Sequence, residues 1–259
     1  GAMVAIEPAR ACGACDWCHA GQHNLCPHTV MLGGPPNHGA LTKTVALAPH
    51  QLYPVPEHFS ASTTALLEPL GVCIHAVDLA RPQWFESGAV RGAGTMGLGI
   101  LQLLRLAGIA EPIVADPVAY RREKALELGA AHAVASVAEP DALTGGLGAD
   151  LVLEATNSPA GFADATTAAK IGGRVVVVGI PDGNLYTFEA STPRRKQLQV
   201  TFSRRMNHVL PRAIRLVAEG RLDPEAWVSH RIGLDRVPEA LDMLAHYRDG
   251  ALKIMVQPD

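Results

Sequence analysis

Residues 86–116 read ESGAVRGAGTMGLGILQLLRLAGIAEPIVAD, and this stretch decides the fold. Within it, Gly92-Ala93-Gly94-Thr95-Met96-Gly97 has the spacing G-x-G-x-x-G. Alone that spacing says little. Here it follows a strand-like segment, opens an apolar helix predicted from Thr95 to Ala107, and precedes a strand predicted from Pro112 to Asp116. In that setting Gly92 permits a tight turn, Gly94 lets the backbone approach a pyrophosphate, and Gly97 lets helix and strand pack closely. Thr95 and Met96 start the helix, whose N-terminus turns its positive end toward the phosphates. Asp116 ends the next strand, nineteen residues after Gly97, where an acid accepts hydrogen bonds from the adenosine ribose. A 2′-phosphate there would meet a negative charge, so the pattern predicts NAD rather than NADP. Arg121, one helical turn on, is a second candidate for the ribose. The alternative for Asp116 alone is a strand-end turn residue before Pro117.

One part of this stretch is out of character. A central parallel strand is expected to be rich in Val, Ile and Leu, yet the residues before Gly92 are Glu86-Ser87-Gly88-Ala89-Val90-Arg91. Gly88 weakens a strand by roughly 0.5–1 kcal/mol. An unpaired Arg91 would cost several kcal/mol. Arg91 is therefore predicted to have a carboxylate or phosphate partner, or else the region is distorted.

Outward from this stretch the alternation continues. Val118 to Leu128 reads as a helix ended by Gly129. Asp150 to Ala155 reads as a short apolar strand, and Pro159 to Ala169 as a helix with Pro159 in its first turn. Arg174 to Gly179 is a near-continuous valine run, as in a strand buried on both faces. Leu198 to Phe202 is a further strand and Val209 to Glu219 a helix ended by Gly220. Trp227 to Val256 forms a strand-helix-strand set with its helix at Pro238 to His246. Strands alternating with helices predict an α/β chain with a parallel sheet. Residues 4–60 are rich in Pro, His, Gly and Cys and read as loops and short strands.

The 259 residues carry 22 Lys+Arg against 25 Asp+Glu, a formal net charge of -3, and no Lys/Arg-rich run. Nucleic acid and anionic membrane are thus poor partners. The most apolar stretch, Met96 to Ile109, is broken by Gln102 and Arg105, and no apolar run is expected to reach spanning length. No secretory signal is visible, and Gly1-Ala2-Met3 reads as a scar of tag removal.

Four of the five cysteines, Cys12, Cys15, Cys18 and Cys26, are clustered. That clustering suits a metal knuckle in a reducing compartment, the cytoplasm, better than a secreted disulfide framework. Three thiolates spaced by three residues wrap one ion and the fourth closes the tetrahedron, leaving no open position: a structural zinc rather than a catalytic one. Free thiols, disulfides and an iron-sulfur cluster are the alternatives. His19, His23 and His28 are read as surface residues, not ligands.

Taken together, the sequence resembles the medium-chain dehydrogenase/reductase superfamily, and within it the zinc-dependent sorbitol (polyol) dehydrogenases. Val4-Ala-Ile-Glu-Pro8 leads into the four cysteines, and His38-Gly-Ala-Leu41 and Leu66-Leu-Glu68-Pro-Leu70 follow. The glycine motif, Gly172-Gly-Arg-Val-Val-Val-Val-Gly179, Arg204-Arg-Met-Asn207 and Asp249-Gly-Ala-Leu-Lys-Ile254 complete the set. The resemblance implies a Rossmann doubly wound parallel sheet with an incomplete GroES-like, β-rich catalytic domain carrying a structural-zinc lobe. Residues 4–72 would form the partial catalytic domain, 73–210 the NAD-binding domain, and 211–259 a segment returning to the catalytic domain. It implies oxidation of a secondary alcohol of a polyol, sugar alcohol or cyclitol to a ketone, with hydride transfer to NAD, in a homodimer or homotetramer paired through the strand near Leu198.

Residue by residue, the resemblance makes Glu68 the glutamate that approaches the catalytic zinc and Arg204 the basic residue near nicotinamide and substrate. It places Val178-Gly179-Ile180 along the nicotinamide. The alternative for Glu68 is an exposed acid before Pro69. Two departures stand out. Arg205 occupies a position where an aromatic residue is more common. The family's cysteine ligand to the catalytic zinc and its Gly-His-Glu motif lie before the first residue of this chain, and Cys73 with His75 is read as core and surface, not as a substitute. The expectation is therefore a chain that holds NAD and a structural zinc but is inactive alone, a catalytic zinc being expected only in a full-length form. A catalytically silent nucleotide- or partner-binding remnant is the rival reading. A zinc-free quinone-type reductase is a third, and the cysteine knuckle counts against it.

Overall fold

The computed structural model describes residues 1–136 and 144–257. The chain divides into two compact units, residues 1–71 with 204–259, and residues 72–203.

In the first unit the strands are short. β1 (Val4–Ile6) pairs antiparallel with β4 (Leu52–Pro54), and β2 (Ala9–Arg10) with β3 (Val30–Met31). A single helical turn, α1 (Asp16–His19), lies between β2 and β3. Among the described residues these strands form two-stranded ladders and close no barrel. The C-terminal stretch adds β11 (His230–Gly233), parallel to β12 (Ile254–Gln257). A small core of Ile232, Ala240, Ala251 and Ile254 packs beside this pair.

The helix α2 (Ala61–Ala80) was not delimited by sequence pattern. Its buried Leu66, Leu67, Leu70, Cys73, Ile74 and Val77 recur at helical spacing, the stripe of a helix laid on a core. By length and composition it could cross a membrane, with 20 residues and a mean hydropathy of 1.2. The expectation that no apolar segment reaches spanning length is thus corrected. Burial of its apolar stripe inside the protein marks it as a core helix.

The second unit is built on six parallel strands: β5 (Gly88–Arg91), β6 (Ile113–Ala115), β7 (His132–Val134), β8 (Ala149–Glu154), β9 (Ala169–Val177) and β10 (Gln199–Phe202). Their order is β10-β9-β8-β5-β6-β7. The chain builds outward from β5 through β6 to β7, then returns to the other side of β5 with β8. The carboxyl end of β5 is therefore a topological switch point, where open parallel sheets hold ligands. Helices α3 (Thr95–Leu106), α4 (Ala119–Glu127), α5 (Gly161–Ala168) and α6 (Ser191–Lys196) belong to this unit. α7 (Leu210–Ala218) and α8 (Val237–Ala245) belong to the first.

The strand that looked anomalous is regular. All four residues of β5 are buried, paired with β6 on one side and β8 on the other. Gly88 is closely packed: a Cβ there would lie 3.0 Å from Ile109 Cγ2, so the Ile109 side chain would have to shift to admit one. Arg91 has its partner, since its Nη2 donates to Asp164 Oδ2 of α5 at 3.1 Å. Burial lowers the Arg91 pKa, against the pull of Asp164, Glu154 and Asp116. Its Nε and Nη1 are buried without an acceptor among the described residues.

Removing Asp164 leaves that guanidinium buried with its nearest anion gone. Asp164→Ala is expected to lower unfolding stability by about 3 kcal/mol, read as a lower urea midpoint. The double variant Arg91→Met with Asp164→Ala should recover more than half of the loss. An Asp164→Ala chain as stable as its parent would show that this pair does not hold Arg91.

Candidate functional site

The four cysteines converge although little apolar surface gathers them. Cys12 follows β2, Cys15 and Cys18 flank the start of α1, and Cys26 closes a 3₁₀ turn at His23–Leu25. Their sulfurs all lie within 4.8 Å of one another. Cys15 and Cys18 are 3.5 Å apart and Cys12 and Cys18 4.0 Å. A disulfide needs about 2.05 Å, and all five cysteines are free. Four thiolates around one zinc at about 2.3 Å sit roughly 3.8 Å apart, so the donor set fits a closed tetrahedral zinc.

The Cys12 N–H donates to Cys26 Sγ at 3.4 Å. That bond, with the N–H of His28, draws the Cys26 thiol down to about 6. For Cys15 the Cys18 N–H acts downward, but burial and the neighbouring sulfurs outweigh it and push the thiol up to about 12. A divalent cation favours the thiolate at all four positions. His19 and His28 are exposed and His23 is half-buried against His208; none joins the sulfur group.

At the switch point the glycines act by proximity. Gly92 has φ +92°, and a Cβ there would meet Ala155 O at 2.9 Å. A Cβ on Gly97 would run into the Gly92 carbonyl, so α3 can lie this close to the turn only with glycine. Gly94 is open: its Cβ would meet nothing nearer than Arg121 Nη1 at 3.8 Å. This leaves a clear approach to the N-terminus of α3, where Thr95 and Met96 follow, and the cradle fits a nucleotide pyrophosphate.

Asp116 is only 3% exposed. Its Oδ2 accepts the Ala93 N–H at 2.7 Å and its Oδ1 the Val118 N–H at 2.8 Å, while Arg121 Nη1 lies 4.0 Å away. The carboxylate thus braces the glycine turn and starts α4, and each oxygen keeps a further lone pair for a ribose hydroxyl. Across the switch, the N–H groups of Val178 and Gly179 donate to the Glu154 carbonyl at 2.8 and 3.1 Å. Val178 is half-buried there and Ile180 is exposed. The Glu154 carboxyl, fully buried, is pushed upward by burial and accepts from Thr156 N and Oγ1 at 2.8 and 2.5 Å. A cavity of about 800 Å³ in the second unit lies at the amino ends of the strands beside Trp84, Ser87, His132 and Asp150. It is at the wrong end of the sheet for this chemistry.

In the first unit Glu68, on α2, faces Arg205 rather than Arg204. Arg205 Nη2 donates to Glu7 Oε1 at 2.8 Å and lies 3.9 Å from Glu68 Oε1. Burial raises the Glu68 pKa, opposed by Arg205 and Lys253. Burial lowers the Lys253 pKa, opposed by Glu68. The Arg204 side chain is exposed, and its carbonyl accepts from Asn24 Nδ2 at 3.0 Å. Sequence comparison marked Arg205 only as a departure and gave no sign of Glu7 or Lys253. Cys73 is fully buried and donates to the Met96 carbonyl, a core position. Among the described residues only the four cysteines bring three or more candidate metal ligands together.

Residues 95–219 match the zinc-binding dehydrogenase family and residues 1–57 the alcohol dehydrogenase GroES-like domain. The chain is 31% identical to the L-arabinitol 4-dehydrogenase of Hypocrea jecorina, over 99% of this chain and 70% of that protein. It is 29% identical to the sorbitol dehydrogenase of Bacillus subtilis, over 100% of this chain and 75% of that protein. The chain belongs to the zinc-dependent alcohol dehydrogenases of the medium-chain superfamily. Among solved structures, a zinc-binding dehydrogenase from Sinorhizobium meliloti bound to NADP superposes with a TM-score of 0.88 at 30% identity, over 100% of this chain and 77% of that one. An alcohol dehydrogenase from Escherichia coli complexed with NADH gives 0.89 at 25% identity, over 98% of this chain and 76% of that one. This dehydrogenase is thus an α/β oxidoreductase of the family that uses zinc and a nicotinamide nucleotide.

The 259-residue dehydrogenase is expected to hold about one zinc per chain, counted by elemental analysis after dialysis against excess metal. Cys26→Ser, which leaves three thiolates, should drop the count toward zero after brief chelator treatment. Two ions retained per chain would show a ligand set that these residues do not reveal.

Proposed function

We propose that this chain forms the NAD- and zinc-binding body of a polyol dehydrogenase. Its reaction is oxidation of a secondary alcohol to a ketone, the substrates being vicinal diols, sugar alcohols or cyclitols. The observation that supports it most is the open Gly94 position over the α3 N-terminus, with Asp116 held beneath the same turn. NAD, when bound, supplies the hydride acceptor. Gly92, Gly94, Thr95, Met96 and Gly97 seat its pyrophosphate. Asp116 accepts from the adenosine ribose with Arg121 as second contact, and Val178, Gly179 and Ile180 line the nicotinamide. Arg204, whose side chain is exposed, serves the cofactor and substrate. Glu68 is the carboxylate nearest the reacting oxygen.

In this reading the 259-residue polypeptide binds nucleotide and structural zinc but does not turn polyols over by itself. Glu68 is matched to Arg205 and Lys253, and no second ligand set converges among the described residues. Self-association into a dimer or tetramer through the β10 edge, where Phe202 is 62% exposed, is part of the same proposal. So is a cytoplasmic setting, which keeps four thiols available for metal.

Titrating NADH and NADPH by nicotinamide fluorescence tests the cofactor reading. NADH should bind about tenfold more tightly or better, because a 2′-phosphate meets Asp116, and Asp116→Ala should narrow that gap. Equal affinities in the parent would sink the assignment. Sorbitol and arabinitol should give no NADH with this polypeptide; turnover at the rates of full-length relatives would overturn the inactive reading.

A further inference from the structure

The stretch 203–209, which carries Arg204 and Arg205, has no helix or strand to shape it. Two of its residues sit in the left-handed region without being glycine, Arg205 at φ +57° and His208 at φ +52°. Such a conformation persists only where surroundings over-determine it. On one side Met206 and Val209 are buried against α2 at Gly71, where any Cβ would meet Met206 Sδ at 2.5 Å and Val209 Cγ2 at 3.1 Å. On the other side stands the loop between Cys18 and Cys26. Asn207 Nδ2 donates to the Gly21 carbonyl at 2.9 Å, and Asn24 Nδ2 donates to the Arg204 carbonyl at 3.0 Å. His208 Nε2 and His23 Nδ1 share a hydrogen bond of 2.5 Å with their rings crossed at 88°.

All three links come from one loop whose two ends are metal-ligand cysteines. Within it the Gly21 N–H donates to Cys18 O at 3.0 Å and the Cys26 N–H to His23 O at 3.1 Å. The carbonyl and side chains that grip the arginine stretch are therefore placed by the geometry at the sulfurs.

We propose that the zinc lobe is a clasp: metal at Cys12, Cys15, Cys18 and Cys26 fixes the 19–25 loop, and that loop, through Asn24, His23 and the Gly21 carbonyl, holds residues 204–208 so that Arg205 stays on Glu7 and Glu68. Asn24 and Asn207 are positioning residues, acting on the Glu68 site through Arg205. The inference rests on reading the four cysteines as a zinc site. Coupling of this kind is reciprocal: a loosened clasp weakens metal retention, and lost metal frees the arginines.

The experiment uses the full 259-residue chain loaded with zinc. Zinc transfer to a chromogenic chelator is timed for the parent, Asn207→Ala, the isosteric Asn207→Asp, and Leu241→Ala as an exposed control on α8. In parallel, trypsin cleavage after Arg204 and Arg205 is followed by mass spectrometry with and without zinc, with cleavage after Arg248 as internal reference. Both Asn207 variants should release zinc about fivefold faster or more while loading one equivalent. Zinc removal from the parent, and either variant with zinc present, should speed cleavage after Arg204 and Arg205 relative to Arg248. If the variants load one zinc and release it at the parent rate, with unchanged cleavage, the clasp is refuted and the zinc site stands. A parent that binds no zinc removes the zinc reading and the clasp with it. The Asp variant keeps the test decisive should the Ala variant fail to fold.

Discussion

Four sulfurs around one centre carry the order of the first unit's most irregular region. Between Ala9 and Met31 the secondary structure amounts to a two-residue ladder, one helical turn and one 3₁₀ turn. Little there could be stabilised by burial: of the residues from Cys12 to Cys26, only Cys18 and Cys26 themselves are buried. A segment with so little apolar area cannot offset the entropy of its own ordering by burial, and a zinc held by the four sulfurs would supply what a core does not. The consequence reaches beyond the lobe, because Asn24, His23 and the Gly21 carbonyl contact residues about 180 positions later in the chain.

The second unit rests on close approach and on charges kept at the carboxyl ends of its strands. Gly92 and Gly97 let α3 start almost against the β5 turn. The same rim carries Arg91 on β5, Glu154 facing it in register on β8, and Asp116 just after β6. Each is nearly or fully buried, which would be costly in a strand interior. At strand ends the cost is met locally. Asp116 and Glu154 accept backbone N–H groups of the turns they brace, and Arg91 takes Asp164 from α5. The charges thus shape the loops of the switch point, and the Gly94 surface stays open above them.

What the sequence disclosed follows from the range of the forces involved. The glycine motif, the valine run of β9 and the helices after them are local patterns, and the structure contains them with boundaries shifted by a few residues. The cysteine knuckle was legible because metal geometry demands short spacings. α2 was harder to see, since Glu68, Pro69, His75 and Asp78 interrupt a stripe that becomes apolar only once helical phase is known. β7 and α6 are short and carry little periodicity. The partnership of Arg205 with Glu7 and Glu68 joins residues 198 and 137 positions apart, and nothing in local composition encodes that. The resemblance put weight on Arg204 as the basic residue near nicotinamide and substrate, whereas the guanidinium that reaches Glu7 and Glu68 belongs to Arg205, whose backbone is left-handed.

That placement of Arg205 decides how the Glu68 region balances its charge. A half-buried carboxylate whose pKa is raised by desolvation needs a cation close by or it takes up a proton. Here Arg205 at 3.9 Å and Lys253 oppose the cost, and Glu7, itself raised by burial, shares the same guanidinium. A metal arriving beside Glu68 would therefore compete with a cation already in place, and displacing Arg205 would also strip Glu7 of its partner. Arg205 places positive charge at this carboxylate on a side chain covalently part of the fold, and so ties the electrostatics of Glu68 to whatever holds residues 204–208 in position.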